Sequence, residues 1–239
     1  MSLKTFINES EGRNTGMSEV RDTVGARLNR LLGESGQSPL AADLLPRFED
    51  YCSLIIRWNA RVNLTAIRDE EGILSRHFVE SILCARALPA GISTLLDFGS
   101  GAGFPGLPIA LCRQEIAVTL AESQGKKAAF LSEAGRVLGV SVQIHSARAE
   151  ALRTVFDCVT LRAVDHMELA VQAAALLVRP GGWLALMTTR ADLEKLKSCA
   201  GPCFSWIDLV PLPGSEDRVL ALGARRSESI LTAVPSVSL

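Results

Sequence analysis

Tyrosine occurs once in these 239 residues and aromatics make up only 5%, too few for a platform on which single-stranded bases stack. Neither sign of charge is in excess. The 25 Lys and Arg stand against 26 Asp and Glu, for a net charge of -1, which excludes a globally basic nucleic-acid binder and leaves room for a local basic face. No apolar run approaches the roughly eighteen residues of a membrane span. The opening residues, MSLKTFINESEGRNTG, lack the apolar segment of a secretory signal. The six cysteines, Cys52, Cys84, Cys112, Cys158, Cys199 and Cys203, are scattered like reduced core thiols, and the Cys199–Cys203 pair has no His or Cys cluster nearby to complete a zinc site. A cytoplasmic, monomeric protein without a metal is expected. What is present is ordinary globular composition, 48% hydrophobic and 21% charged, in a chain long enough to fold without staples.

The polar residues 1–17 read as a tail, and a helical pattern begins at Val20. Its apolar face carries Val24, Leu28, Leu31 and Leu32, with Gly33 as a stop. Ser38-Pro39 looks like the N-cap and first turn of a second helix bearing Leu44, Leu45, Phe48, Cys52, Ile55 and Ile56. A third helix over 70–88 buries Ile73, Leu74, His77, Phe78, Ser81, Ile82, Ala85 and Leu88. Residues 18–90 are thus an N-terminal helical cap. From Gly91 short β-rich runs alternate with helical ones: strands at 94–98, 116–122, 141–145, 156–161 and 183–187, helices at 105–113, 125–138 and 167–178. That alternation predicts an α/β fold with a mostly parallel sheet covered on both faces. The ending differs, because 204–210 and 218–222 are joined by only seven residues, PLPGSED, too few for a crossover, so they pair as a hairpin. A Rossmann-like, mostly parallel seven-stranded sheet with an antiparallel last strand over residues 91–225, followed by a tail at 226–239, resembles the class I methyltransferases.

The stretch LLDFGSGAGFPGLP (95–108) carries the most information. An apolar strand ends in Asp97, and Gly99, Gly101 and Gly103 lead to a helix at Gly106. Glycines let the chain turn sharply and a ligand approach the backbone. The Gly101-x-Gly103-x-x-Gly106 spacing alone also fits a dinucleotide fingerprint, and so leaves a nicotinamide-dependent oxidoreductase open. A carboxylate at Asp97, before the loop, suits a cationic aminoacyl group or a hydroxyl and would repel a pyrophosphate. Glu122 ends the next strand, nineteen residues after Gly103, where its carboxylate can accept both hydroxyls of a ribose. Ser146-Ala147-Arg148-Ala149-Glu150 follows the third strand and fits either an adenine wall or a plain helix start.

The glycine loop, the run ESQGKKAAFL (122–131), the segment WNARVNLTAIRD (58–69), SRHFVES (75–81) and Leu161-Arg162-Ala163 together resemble the RsmG/GidB family over about residues 40–223. The resemblance implies an S-adenosylmethionine-dependent enzyme that methylates N7 of a guanine in 16S ribosomal RNA, within the small subunit or an assembly intermediate. It implies cofactor contacts at Asp97, Gly99, Gly101, Gly103, Phe104, Glu122, Ala149, Glu150 and Arg162. Two positions depart from the family: Met187 stands where the family usually has Lys, with Arg190 as a candidate replacement, and Val219 follows Arg218 where the family has His. A scaffold that binds cofactor without catalysis therefore remains open.

Guanine N7 has a lone pair and no proton to lose, so no general base is required, and rate comes from positioning and electrostatics. An Arg is the natural reader of guanine's acceptor edge. Arg162, at the C-terminal end of a strand, is the catalytic candidate; its plainer role is an ion pair with Asp165 or Glu168. By position alone His77 reads as a core histidine and Asn63 as a helix C-cap, and the resemblance moves both, with Arg76, toward the RNA. Lys126 and Lys127 are candidate phosphate contacts near the cofactor mouth.

Overall fold

The computed structural model describes residues 22–207 and 209–227. The expected tail 1–17, the helix start at Val20 and all but the first two residues of the tail 226–239 lie outside the described residues. Helix α1 (Val24–Glu34) is capped by Thr23, whose hydroxyl accepts from the Ala26 N–H, and it buries Leu28 and Leu32. Helix α2 (Leu45–Asn59) starts six residues beyond Pro39, with Pro46 in its first turn instead; residues 42–44 form a turn, and Leu40 donates its N–H to Asn29. The expected burial of Ile56 fails, as that side chain is 41% exposed.

The third helical stretch is interrupted. Between α3 (Glu70–Gly72) and α4 (Glu80–Ala87) the segment Ile73–Val79 is wound as a π-helix. Asp69 caps its start by accepting from the Gly72 N–H. Such wider turns are frequent at functional sites, and this one carries Arg76 and His77.

The sheet contains β1 (Thr94–Phe98), β2 (Ala117–Ala121), β3 (Val142–His145), β4 (Phe156–Arg162), β5 (Val178–Thr189), β6 (Phe204–Trp206), β7 (Val210–Pro211) and β8 (Arg218–Arg225). Its order is β3-β2-β1-β4-β5-β8-β6, with β7 also on β8. The first five strands are parallel, and β8 runs antiparallel between β5 and β6. The expected strand 204–210 is thus two short pieces, both paired to β8 in the expected antiparallel sense. Seven positions in the sheet hold eight strand segments.

Helices α5 (Gly106–Cys112), α6 (Gly125–Leu138), α7 (Met167–Leu177) and α8 (Arg190–Ala200) complete the fold. Successive strand residues point to opposite faces, and both faces are apolar. Leu95, Leu120, Cys158, Ala185 and Leu220 join a cluster with α1, α2, α4 and α6, whereas Leu96, Val159, Leu184, Leu186 and Val219 join one with α7 and α8. The N-terminal helices therefore share a continuous core with one face of the sheet. Met187 is 4% exposed and Val219 fully buried, so both family departures lie in apolar core. Arg190 starts α8 and spends its guanidinium on the Glu216 carbonyl.

Candidate functional site

A cleft of about 1050 Å³ opens at the C-terminal ends of β1, β2, β3 and β4, the position at which doubly wound sheets bind ligands. The glycine loop forms its floor. Gly101 has φ +56° and Gly103 φ +90°, values that L side chains avoid. A Cβ on Gly101 would meet nothing nearer than 3.9 Å, so its backbone lies open, whereas one on Gly103 would lie 2.5 Å from Leu107 and 2.7 Å from the Tyr51 hydroxyl. Gly101 is thus glycine for access and shape, and Gly103 for packing.

Two carboxylates hold this loop from opposite sides. Glu122, 7% exposed, accepts from the Gly101 N–H at 3.0 Å and the Gln124 N–H at 2.7 Å. Each of its oxygens keeps a lone pair, and the side chain is in the wall of the cleft. Asp97 corrects expectation. It does not line the cleft but turns beneath the loop, accepting from the Gly106 N–H at 3.1 Å and the Thr160 hydroxyl at 2.8 Å. Two buried donors explain this orientation: the Gly106 N–H, and the Thr160 hydroxyl, whose other acceptor, the Leu96 carbonyl, is at 3.5 Å. Burial pushes its carboxyl up to about 6, against the opposing pull of those hydrogen bonds.

Gly99, Phe104, Ala149 and Glu150 line the cleft, with Ala147 and Arg148 beside them. Arg76, His77, Lys127 and Arg162 reach it too. Asn63, Lys126 and Arg190 are not brought to it. Asn63 is exposed and accepts from Arg68. Lys126 points to solvent one step round the helix from Lys127, and Arg190 is tied to the turn at Glu216 and Asp217.

Arg162 pairs with neither Asp165 nor Glu168. Its guanidinium donates to Glu80 at 3.0 Å and to the Arg76 carbonyl at 2.7 Å, and it lies over the Phe104 ring at 5.9 Å. Its Nη1 is buried without a partner. Desolvation lowers its pKa, partly offset by Glu80. The residue sequence reasoning missed is Glu80, 1% exposed, which also accepts from Arg218 at 2.7 Å and faces Arg76 at 3.6 Å. The available signal was an acid inside an apolar helical stripe, four residues after Arg76. Asn59 was missed likewise. Buried, it accepts from the N–H groups of Leu64 and Thr65 and donates to the carbonyls of Thr65 and Ile67, so it shapes the loop that forms one cleft wall.

His77 is neither a satisfied core residue nor a solvated one. Its Nε2 shares a 2.7 Å hydrogen bond with the Thr65 hydroxyl, its ring stacks on Phe104 at 4.5 Å, and its Nδ1 is buried with no partner. Burial first, then Arg162 and Arg76, lower its pKa from 6.5 to about 3. Below pH 6.5 the unfolded chain therefore takes up a proton that the folded one refuses, and stability falls with pH at up to about 1.4 kcal/mol per unit. Urea unfolding near pH 7.5 and near pH 5 should show wild type losing about 2 kcal/mol relative to His77→Gln. A pH-independent gap between the two would mean that the folded imidazole titrates normally.

Among the described residues no group of three or more His, Cys, Asp and Glu is arranged for a metal ion, and no helix is long and apolar enough to cross a membrane. The model of the family described as rRNA small subunit methyltransferase G, GidB, matches residues 44–204, a span holding the glycine loop, Glu122, Glu80 and Arg162. The chain belongs to this family. A ribosomal RNA small subunit methyltransferase G from Roseiflexus sp. (strain RS-1) is 38% identical over 198 residues, covering 76% of this chain and 83% of its own. One from Halorhodospira halophila is 40% identical over 182 residues, covering 75% and 86%. Among solved structures, a methyltransferase from Pyrococcus furiosus is 13% identical and superposes with a TM-score of 0.56 over 76% of this chain and 98% of that one, a likeness of fold. Family membership and the cleft agree on the cofactor. The open Gly101 backbone and the spare lone pairs of Glu122 fit an adenosyl group. Glu122→Ala is expected to weaken S-adenosylmethionine binding by about 1–3 kcal/mol by leaving ribose hydroxyls unpaired; equal calorimetric affinities would remove Glu122 from the site.

Proposed function

We propose that this protein transfers the methyl group of S-adenosylmethionine to N7 of a guanine in small-subunit ribosomal RNA. One observation carries the reading: the glycine loop with Glu122, and Arg162 with Arg76, line a single cleft, in a chain whose relatives are named small-subunit rRNA methyltransferases. When bound, the cofactor supplies a methyl group activated by a sulfonium. In this reading Glu122 holds the ribose, the 147–150 segment walls the adenine, and Asp97 keeps the loop in shape from below. Arg162, with a guanidinium nitrogen unpartnered, bonds guanine O6 and orients the base, leaving N7 free to attack. Arg76 and Lys127 at the cleft wall meet the RNA backbone. No residue acts as a base, because N7 has no proton to lose.

The test is incubation with radiolabelled S-adenosylmethionine and small subunits lacking native N7-methylguanosine, beside the naked RNA, followed by nucleoside analysis. Label in N7-methylguanosine supports the reading, and label in another nucleoside moves the target. Cofactor bound without transfer to either substrate would favour the scaffold. Arg162→Ala should retain cofactor affinity and lose at least about tenfold in turnover, the usual scale for a positioning contact. Undiminished turnover would take the base-orienting role from Arg162.

A further inference from the structure

The cofactor loop is gripped from the N-terminal helices as well as from the sheet, and the grip is the single tyrosine of the chain. Tyr51, on α2, is fully buried, and its hydroxyl donates to the Ala102 carbonyl at 2.6 Å. Ala102 lies between Gly101 and Gly103, both in the left-handed region. Gly103 passes so close beneath the hydroxyl that a Cβ there would lie 2.7 Å from it. The ring stacks on both Phe78 at 5.2 Å and Phe104 at 5.3 Å, which also meet each other at 5.9 Å, and Phe104 lines the cleft. The phenol is therefore fixed in place before it meets the loop.

We propose that Tyr51 is a positioning residue for S-adenosylmethionine, holding the Gly101–Gly103 turn in its binding conformation by the bond to Ala102. The inference rests on the cofactor reading above. Two left-handed glycines in three residues leave the turn many backbone conformations, and glycine loses the most freedom on being ordered. Side chains from outside the loop restrain it at three places. Asp97 holds Gly106 at its far end and Glu122 holds the Gly101 N–H. Glu122 is also the group the ribose must share. The Tyr51 bond lies on the other side of the turn, at a carbonyl outside that competition, and so persists when the cofactor binds. Without it the cofactor would itself have to order the turn, and the cost would appear in affinity.

The test is Tyr51→Phe, which removes one oxygen and keeps the stacked ring. Calorimetric binding of S-adenosylmethionine and S-adenosylhomocysteine is measured well below the melting temperature, with KM and kcat on hypomethylated small subunits. The expected result is a five- to twentyfold rise in the Kd of both ligands and in the KM for S-adenosylmethionine, with kcat at saturating cofactor within about twofold of wild type. Unchanged Kd with a lowered Tm would make Tyr51 a core residue only and overturn the proposal. A fall in kcat at unchanged Kd would overturn it too, by placing the effect on the reaction and not on the loop. If wild type binds neither ligand, the cofactor reading fails first, and that failure is visible before the variant is made.

Discussion

Glu80→Gln is expected to lower the unfolding free energy by about 3–5 kcal/mol and to abolish methyl transfer. The substitution is nearly isosteric, so no cavity contributes. Charge balance does. A single buried carboxylate faces Arg162 at 3.0 Å, Arg218 at 2.7 Å and Arg76 at 3.6 Å. Arg162 and Arg218 have side chains only 12% and 18% exposed. Removing the anion leaves two largely desolvated guanidiniums facing each other, and breaking a buried ionic cluster by deleting one partner is strongly destabilising. Burial raises the Glu80 pKa while the arginines oppose the rise. Urea unfolding of both proteins measures the loss, and a difference below about 1 kcal/mol would mean that solvent already screens the cluster. Adding Arg218→Met to the variant removes one of the stranded charges at similar volume. It should return at least about 1 kcal/mol, because residues in one ionic network couple strongly.

Gly106→Ala is the second large effect, and its cause is steric. A Cβ at this position would lie 2.3 Å from Leu120, 2.7 Å from the Asp97 carboxylate and 2.9 Å from the Asp97 Cβ. Both neighbours are on central strands of the sheet and are essentially fully buried, so neither can retreat. The first turn of α5 must move away instead. That breaks the bond from the Gly106 N–H to Asp97 and shifts the glycine loop preceding it. Overpacking of this kind costs about 1–3 kcal/mol, and cofactor affinity should fall at least about tenfold, since each 1.4 kcal/mol of lost positioning is a factor of ten. Gly125→Ala is the control. A Cβ at the start of α6 meets nothing within 4 Å, and alanine there should be neutral or stabilising by up to about 1 kcal/mol. If Gly106→Ala behaved like Gly125→Ala, the close contact between α5 and the sheet would not be a constraint.

The two effects differ in how visible they were beforehand. The glycine loop, its acidic strand end and Glu122 form a pattern of local spacings, and their elements fell within a residue or two of the reading: β1 at 94–98 and α6 at 125–138 coincide with it. Strand alternation and the short PLPGSED connection likewise foretold the antiparallel β8. Glu80 has only a faint local signal, its i,i+4 spacing from Arg76, because its nearer partners Arg162 and Arg218 are 82 and 138 residues away in the chain. Asp97 was placed at the right end of the right strand, but which way its carboxylate turned depended on two donors, Gly106 and Thr160, meeting beneath the loop. Arg190 is close in sequence to Met187, yet the start of α8 carries its side chain to the Glu216 carbonyl.

What the sequence determined by itself was everything with a short repeat or a fixed offset: the parallel sheet, the cofactor turn and the family. These rest on backbone geometry, whose periods of 2 and 3.6 residues and whose tolerance for glycine are local properties. Tertiary structure alone decided which polar groups share one buried volume. Burial removes water as a partner, so each buried charge or donor must find another group across the chain or remain unpaired. That requirement gathered Arg76, Arg162 and Arg218 around Glu80. It set Tyr51 against Ala102 and left His77 Nδ1 and Arg162 Nη1 without partners beside the cleft.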